Sequence, residues 1–404
     1  MSDDAPRTMD RPWHEAIAIG VFSAAVVALL FFFTPAVTAD HPDFAHPADH
    51  HKYIHMAEGS SFGFHIAPYC RRVGVPLLVE ALPFSAPIAF RLIAVACLWG
   101  TGLAVYYLLK AGGHSSPLAL AGMLLYAAMG WPTRYLLYDF WLPDAAAFLL
   151  VVLAIWCLFT RHDAWFAVIL LLGVALKESV IFAAPLYLTL REPVGPRWRF
   201  GLRWLGLIAP AVLVLLALRW AIPAWNDDPA YVQSLPVELR SVDAEKVHYD
   251  YWARLREIGA WRLDNLSPEM LLAYTAGTFG VPAVVMPLLA LRRNVRLLLR
   301  FAPFLVLVYA QLFFATDTQR LLILGFPGLL LLALNGFAHV MRAWRTSVTD
   351  VIILALIILG LSLASPTRFT ASSTAQAGLL AVYLFVCLWR RYRHARRTSA
   401  RQTP

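Results

Sequence analysis

The sequence predicts an all-α polytopic membrane bundle with about twelve spans and a helical first outer loop. Three observations predict it. Of the 404 residues, 60% are hydrophobic and 15% charged, where soluble globular chains carry roughly 45–50% and about 25%. Mean hydropathy is +0.62. Apolar runs recur along the whole chain, and Arg gathers in alternate connections between them, as membrane orientation requires. An integral, multi-pass protein of a bacterial-type inner or plasma membrane follows, with the bilayer as its first partner.

About 20 apolar residues cross a hydrocarbon core, with shorter and longer segments tolerated. Residues 1–15 read as a cytoplasmic tail. The run Ala16–Val37 is uncharged and too long for a signal peptide, and no small-residue cleavage site follows it, so it reads as a signal anchor and first span. Residues 38–86 form the first outer loop, ending in Val75–Phe84, which holds Glu80 and reads as an amphipathic surface helix. The further spans are Pro87–Leu109, Ser116–Met129, Ala145–Phe159, Trp165–Leu176, Val180–Leu190, Leu205–Ala221, Met270–Leu291, Phe301–Phe314, Leu321–Val340, Val351–Leu363 and Gly378–Leu388. A second outer loop covers 222–266, and 390–404 is a basic cytoplasmic tail. Residues 16–389 form a single membrane domain.

Arg191, Arg197, Arg199 and Arg203 share one loop, Arg292, Arg293, Arg296 and Arg300 another, and Arg342 and Arg345 a third. Placing these inside puts both termini in the cytoplasm and the mixed acidic, His and aromatic loops outside. The net charge of +9 is thereby explained by orientation and does not point to nucleic acid. No Walker A pattern or Gly-rich phosphate cradle is present, so no ATP site is visible. The cysteines Cys70, Cys97, Cys157 and Cys387 form no CxxC pair and no disulfide framework. No convincing internal repeat is found, which weighs against a secondary transporter.

The stretch Asp40–Pro76 is the densest cluster of ionisable residues outside the basic tail. Asp49 and Tyr53 are four apart and share a helix face, as do His51 and His55. An outer-loop carboxylate can take a proton from a hydroxyl nucleophile, and Asp40 and Asp43 are the other acids of this loop. His46, His50 and His51, with neighbouring carboxylates, also offer N and O ligands for a divalent metal ion. Lys177-Glu178 places charge close to hydrocarbon, which is costly and usually functional; Lys177 can meet a phosphate as a point charge. In the turn at Asp317, Arg320 can grip two phosphate oxygens, although the pair is equally suited to capping a helix. In the aromatic segment 131–144, Trp131 and Trp141 read as belt residues. There Asp144 reads as an ordinary helix-opening carboxylate, and Arg134 is the most site-like member.

In their order and common sidedness, these elements resemble the GT-C superfamily of multi-span glycosyltransferases. The first outer loop carries D-x-x-x-Y-x-x-x-A as Asp49, Tyr53 and Ala57. P-x-x-x-R-x-x-x-P follows as Pro68, Arg72 and Pro76, a mid-chain KE element as Lys177-Glu178, and a D-x-x-R turn before a proline-containing helix as Asp317, Arg320 and Pro327. The likeness extends to about residue 340. It implies inverting transfer of a sugar from a polyprenyl-phosphate donor to a glycan or lipid acceptor on the outer face. Asp49 best matches the family's catalytic base, with Asp40 and Asp43 as competitors because His50 stands where many members have a second acid. His50, Tyr53, Arg72, Arg134, Lys177, Glu178, Asp317 and Arg320 are the expected substrate-binding residues. The competing expectation is a transporter or flippase without chemistry, whose charges should line a central path near broken helices.

Overall fold

Apolar helices pair along their lengths to build the molecule. The computed structural model describes residues 12–45, 48–59, 61–192, 196–240, 251–314, 317–365 and 369–399. Every regular element among them is helical. Ala86–Ala111 packs along Asp144–Thr160, Ser116–Ala128 along Val348–Leu363, Val281–Leu289 along Phe326–Trp344, and Asp163–Leu176 along Arg197–Ala221. Close approach depends on small residues, as is usual where lipid removes the hydrophobic drive between helices. A Cβ on Gly336 would come within 2.1 Å of the Met286 carbonyl oxygen, so only glycine permits that contact.

Six helices are long and apolar enough to cross a membrane: Trp13–Phe32, Ala86–Ala111, Arg197–Ala221, Leu291–Phe313, Thr318–Trp344 and Ser373–His394. The pair Pro268–Phe279 and Val281–Leu289, bent by 112°, makes up to seven. This is fewer than the expected twelve. Five of the expected spans form shorter apolar helices, Ser116–Ala128, Asp144–Thr160, Asp163–Leu176, Glu178–Leu190 and Val348–Leu363. The bend falls at Gly280, whose φ of +84° is open to glycine, with Pro282 just beyond it.

Other boundaries move too. The first span stops at Phe32 rather than Val37, and helix Ser373–Ser399 carries straight into the basic segment expected to be a tail. The Val75–Phe84 stretch forms helix Gly74–Ala81, which buries Val75, Pro76 and Val79 and exposes Leu78 and Glu80. Arg197–Ala221 buries only Ala211 along its length, while Leu213, Leu216 and Trp220 stand exposed. Such an apolar surface is stable against acyl chains and unfavourable against water.

For the functional region, the decisive piece is the hairpin of Asp144–Thr160 and Asp163–Leu176. It brings Asp144 and Lys177 to one end and Asp163 to the other.

Candidate functional site: a charge cluster at one end of the bundle

Past the first span, the chain is tied down by Val37, whose N–H donates to the Tyr138 carbonyl at 2.8 Å and whose carbonyl accepts from Trp141 Nε1 at 2.7 Å. Helix Asp49–Glu58 follows, with His50, Lys52, Tyr53 and Met56 buried. The spacing of the last three seats one face on the bundle and leaves Asp49 at its edge. The Asp49 side chain is 26% exposed.

Asp49 accepts a hydrogen bond from the Tyr69 hydroxyl at 2.6 Å and pairs with Arg320 Nη1. The other terminal nitrogen of Arg320 bonds Asp144 at 3.0 Å, and Asp144 also holds Lys177. Asp317 stands 3.7 Å from Arg320. Beside this group, Arg72 grips Glu178 through Nε at 2.9 Å and a second bond from Nη2, and it donates to the Tyr53 hydroxyl at 3.2 Å. Lys52 lies 4.7 Å over the Tyr69 ring. Four separate parts of the chain thus supply one alternating network of cations and carboxylates.

Each member is placed by local chain geometry. Lys177 ends helix Asp163–Leu176 in extended conformation, with φ −158°, so its side chain turns back to the start of the neighbouring helix. Arg320 sits in the short helix Thr318–Leu322. That helix is held by buried Arg262, which donates to Thr318 Oγ1 at 2.7 Å and to the Leu312 carbonyl at 3.0 Å.

The connection after helix Arg197–Ala221 also packs onto the one between the first two long helices. Asn226 exchanges two hydrogen bonds with the Ala67 backbone, at 2.8 and 3.0 Å. The Tyr231 hydroxyl accepts from the His65 N–H at 2.9 Å.

Electrostatics follow from this geometry. Burial pushes the Asp49 carboxyl up, but Arg320, the Tyr69 hydroxyl and Lys52 outweigh it and hold the group at about 2. Burial depresses Lys52, partly offset by Asp49, and it raises the phenols of Tyr53 and Tyr69. Asp317 is raised, first by burial, against the pull of Arg320 and with help from Asp144 and Asp49. Asp49 is therefore ionised and paired.

Of the expected residues, Asp49, Tyr53, Arg72, Lys177, Glu178, Asp317 and Arg320 come together. Asp40 is exposed and Asp43 accepts from the Tyr138 hydroxyl; neither has a bond or ion pair to a cluster member among the described residues. Arg134 does not join either. It is buried in a π-helical turn, Trp131–Tyr135, and bonds Thr34 Oγ1 at 3.2 Å and the carbonyls of Phe33 at 3.2 Å, Ser365 at 3.1 Å and Ser362. Those bonds clasp the end of the first span to the end of helix Val348–Leu363.

His50 is buried 3.9 Å from Asp139, whose carboxyl burial pushes up. His51 Nε2 bonds the Phe44 carbonyl at 2.7 Å, and both imidazoles pack on the Phe44 ring. His46 lies outside the described residues. Among the described residues, no three His, Cys, Asp or Glu side chains gather as a metal-binding group, so the metal set expected at His46, His50 and His51 is not assembled by those described.

Asp144 is the member that sequence reasoning passed over. Its helix-opening position after Pro143 gave it an ordinary explanation, yet it is fully buried between two cations. The available signal was an ionisable residue beside a membrane span. Tyr69, Lys52 and Arg262 carried no such signal.

Comparison with protein-family models, curated proteins and solved structures found no significant match.

Proposed function

We propose that this chain is a GT-C-type membrane glycosyltransferase acting on a polyprenyl-phosphate-linked sugar. In this reading the six long helices, the bent pair and the five shorter apolar helices cross the membrane as twelve spans. Both termini are cytoplasmic, and the charge cluster faces the outer side. The observation that carries the reading is the cluster itself: an accessible carboxylate, Asp49, held on the same guanidinium as a wholly buried one, Asp144, with Lys177 behind it. A base must reach its substrate, so Asp49 takes that role and Asp144 positions the cations.

The acceptor hydroxyl attacks the anomeric carbon from the face opposite the phosphate, and the carbon–oxygen bond to phosphate breaks. The electron pair leaves with polyprenyl phosphate, whose growing charge Arg320 and Lys177 offset, and the hydroxyl proton passes to Asp49. The products are an inverted glycoside and polyprenyl phosphate. A carboxylate tied to Arg320 is a weak base. When a donor phosphate takes Arg320 Nη1 in place of Asp49, the carboxylate loses the partner that depresses it and becomes basic enough to serve. Substrate binding thus prepares its own base.

The bent pair at Gly280 favours a second reading, a transporter or flippase, because broken helices line transport paths. The buried side chain that meets that break is neutral Gln376, which accepts from the Val281 N–H at 2.9 Å. The charges lie elsewhere, at one end of the bundle.

The test is retention of radiolabelled polyprenyl-phosphate hexoses by purified wild-type and Arg320→Ala protein, followed by transfer to added acceptors. Loss of a charge-assisted contact should weaken donor binding by about tenfold or more in a protein that still folds. Unchanged donor affinity removes Arg320 from the site. Vectorial movement of intact donor without transfer would favour the transporter.

A further inference from the structure

At the opposite end of the same hairpin lies a second charged region that the proposed chemistry does not use. Asp163 opens the return helix there. Its carboxylate is shared by Arg191 Nη2 at 3.1 Å, Arg203 Nη2 at 2.8 Å and the Tyr187 hydroxyl at 3.1 Å. Tyr187 stacks on Phe200, with ring centroids 5.2 Å apart. Against this group is a cavity of about 220 Å³ lined by Tyr187, Arg191, Glu192, Arg199, Phe200 and Arg203.

Orientation alone asks only that cations stay on this side of the membrane, and exposed arginines satisfy that. It does not require a cavity built around them. Asp163 is already divided between two guanidinium groups. Arg191 is largely buried, and its Nε has no hydrogen-bond partner among the described residues. Arg199 makes no ion pair among the described residues; its guanidinium lies 5.2 Å over the Trp198 ring. Asp163 Oδ1, in ion-pair contact with Arg191, also has no hydrogen-bond partner among the described residues, so the balance is one of charge. Three guanidinium groups, Arg191, Arg199 and Arg203, line or adjoin the cavity with two carboxylates, Asp163 and Glu192, and the planar donor fork matches phosphate oxygens. A water occupies about 30 Å³, so the space admits several waters or one phosphate with a small ester. Trp198 and Leu202, on the same helix, are 62% and 57% exposed and offer an apolar surface beside the opening.

We propose that this cavity binds a phosphate-ester anion, with the headgroup of an anionic phospholipid as its occupant and the acyl chains lying along the exposed face of helix Arg197–Ala221. Basic pockets between membrane helices hold such headgroups elsewhere. The proposal stands independently of the glycosyltransferase reading.

The experiment places the full-length protein in phosphatidylcholine nanodiscs doped with phosphatidylglycerol and measures retained lipids by native mass spectrometry. Wild type should retain phosphatidylglycerol in preference to phosphatidylcholine. Arg199→Gln should weaken that preference about fivefold, and Arg199→Gln with Arg203→Gln about 30-fold, at the usual worth of one cation near an anionic headgroup. Arg199→Gln leaves both Asp163 pairs intact, so it remains informative if the double variant does not fold. Arg292→Gln with Arg293→Gln, on exposed positions of another helix, should change nothing. Displacement of the retained lipid by millimolar inorganic phosphate would assign the site to free phosphate; no displacement would assign it to the lipid. Equal retention by wild type and Arg199→Gln overturns the proposal, and so does an equal loss in the Arg292/Arg293 control, which would reduce the effect to general surface charge.

Discussion

Replacing Asp49 by Asn separates what the charge does for folding from what the proposed transfer reaction would ask of it. The group sits at about 2 against an ordinary 3.8, and a shift of that size corresponds to about 2 kcal/mol in favour of the ionised, folded form. Asp49→Asn forfeits about that much. Arg320 is not stranded, because Asp144 remains at 3.0 Å and Asp317 at 3.7 Å. The larger penalty for an uncompensated buried charge is therefore avoided, and the melting temperature should fall by only a few degrees.

The pH dependence has a definite sign. Because the folded carboxyl is depressed, its contribution is fully present above the unfolded value of about 4 and is lost as pH falls through about 2. The stability gap between wild type and Asp49→Asn should therefore be constant near neutrality and close across that acid window. Turnover should fall far more than stability, by about 100- to 10,000-fold, the usual range for a general base. The assay is transfer of radiolabelled sugar from a panel of polyprenyl-phosphate hexoses in membranes carrying matched amounts of protein, with Asp40→Asn and Asp43→Asn alongside. Transfer by Asp49→Asn within about threefold of wild type would refute the base assignment, since a general base typically contributes about 100-fold or more. A loss confined to Asp40→Asn or Asp43→Asn would move the base upstream.

Asp144→Asn leaves Lys177 and Arg320 sharing no buried carboxylate and should cost about 3–5 kcal/mol, read as poor accumulation in the membrane. Adding Lys177→Gln should restore part of that stability without restoring transfer, and a double variant no more stable than the single one would show that Asp144 does not compensate Lys177. Arg134→Ala removes bonds to three carbonyls and a hydroxyl and should destabilise by at least about 3 kcal/mol. Donor affinity per folded molecule should be unchanged. A selective loss of donor binding at normal stability would instead return Arg134 to the site.

Local sequence determined the parts of this protein that depend on composition and short spacing. Apolar runs became helices, the form in which a backbone in lipid satisfies its own hydrogen bonds. The four-residue spacing of Asp49 and Tyr53 put both beside the same network, through Arg320 and Arg72 respectively. Charges close to hydrocarbon, Lys177-Glu178 and Arg320, proved to have buried partners, as their desolvation cost demands.

What the sequence could not reveal was which partner each charge would find. Arg320 meets Asp49 across 271 residues and Asp144 across 176, and no local periodicity records such a meeting. Arg134 and Asp144 show the difference most clearly. They lie in one short aromatic segment and looked, respectively, like a ligand and a helix opener. Packing reversed them: the ends of two helices surround Arg134 with carbonyls, and two cations close over Asp144. One expected span was also reshaped in three dimensions, at Gly280, where a positive φ that glycine readily adopts turned it into a bent pair. Tertiary structure decided these points because a buried charge is stable only beside its compensating group, and the fold alone brings that group to it.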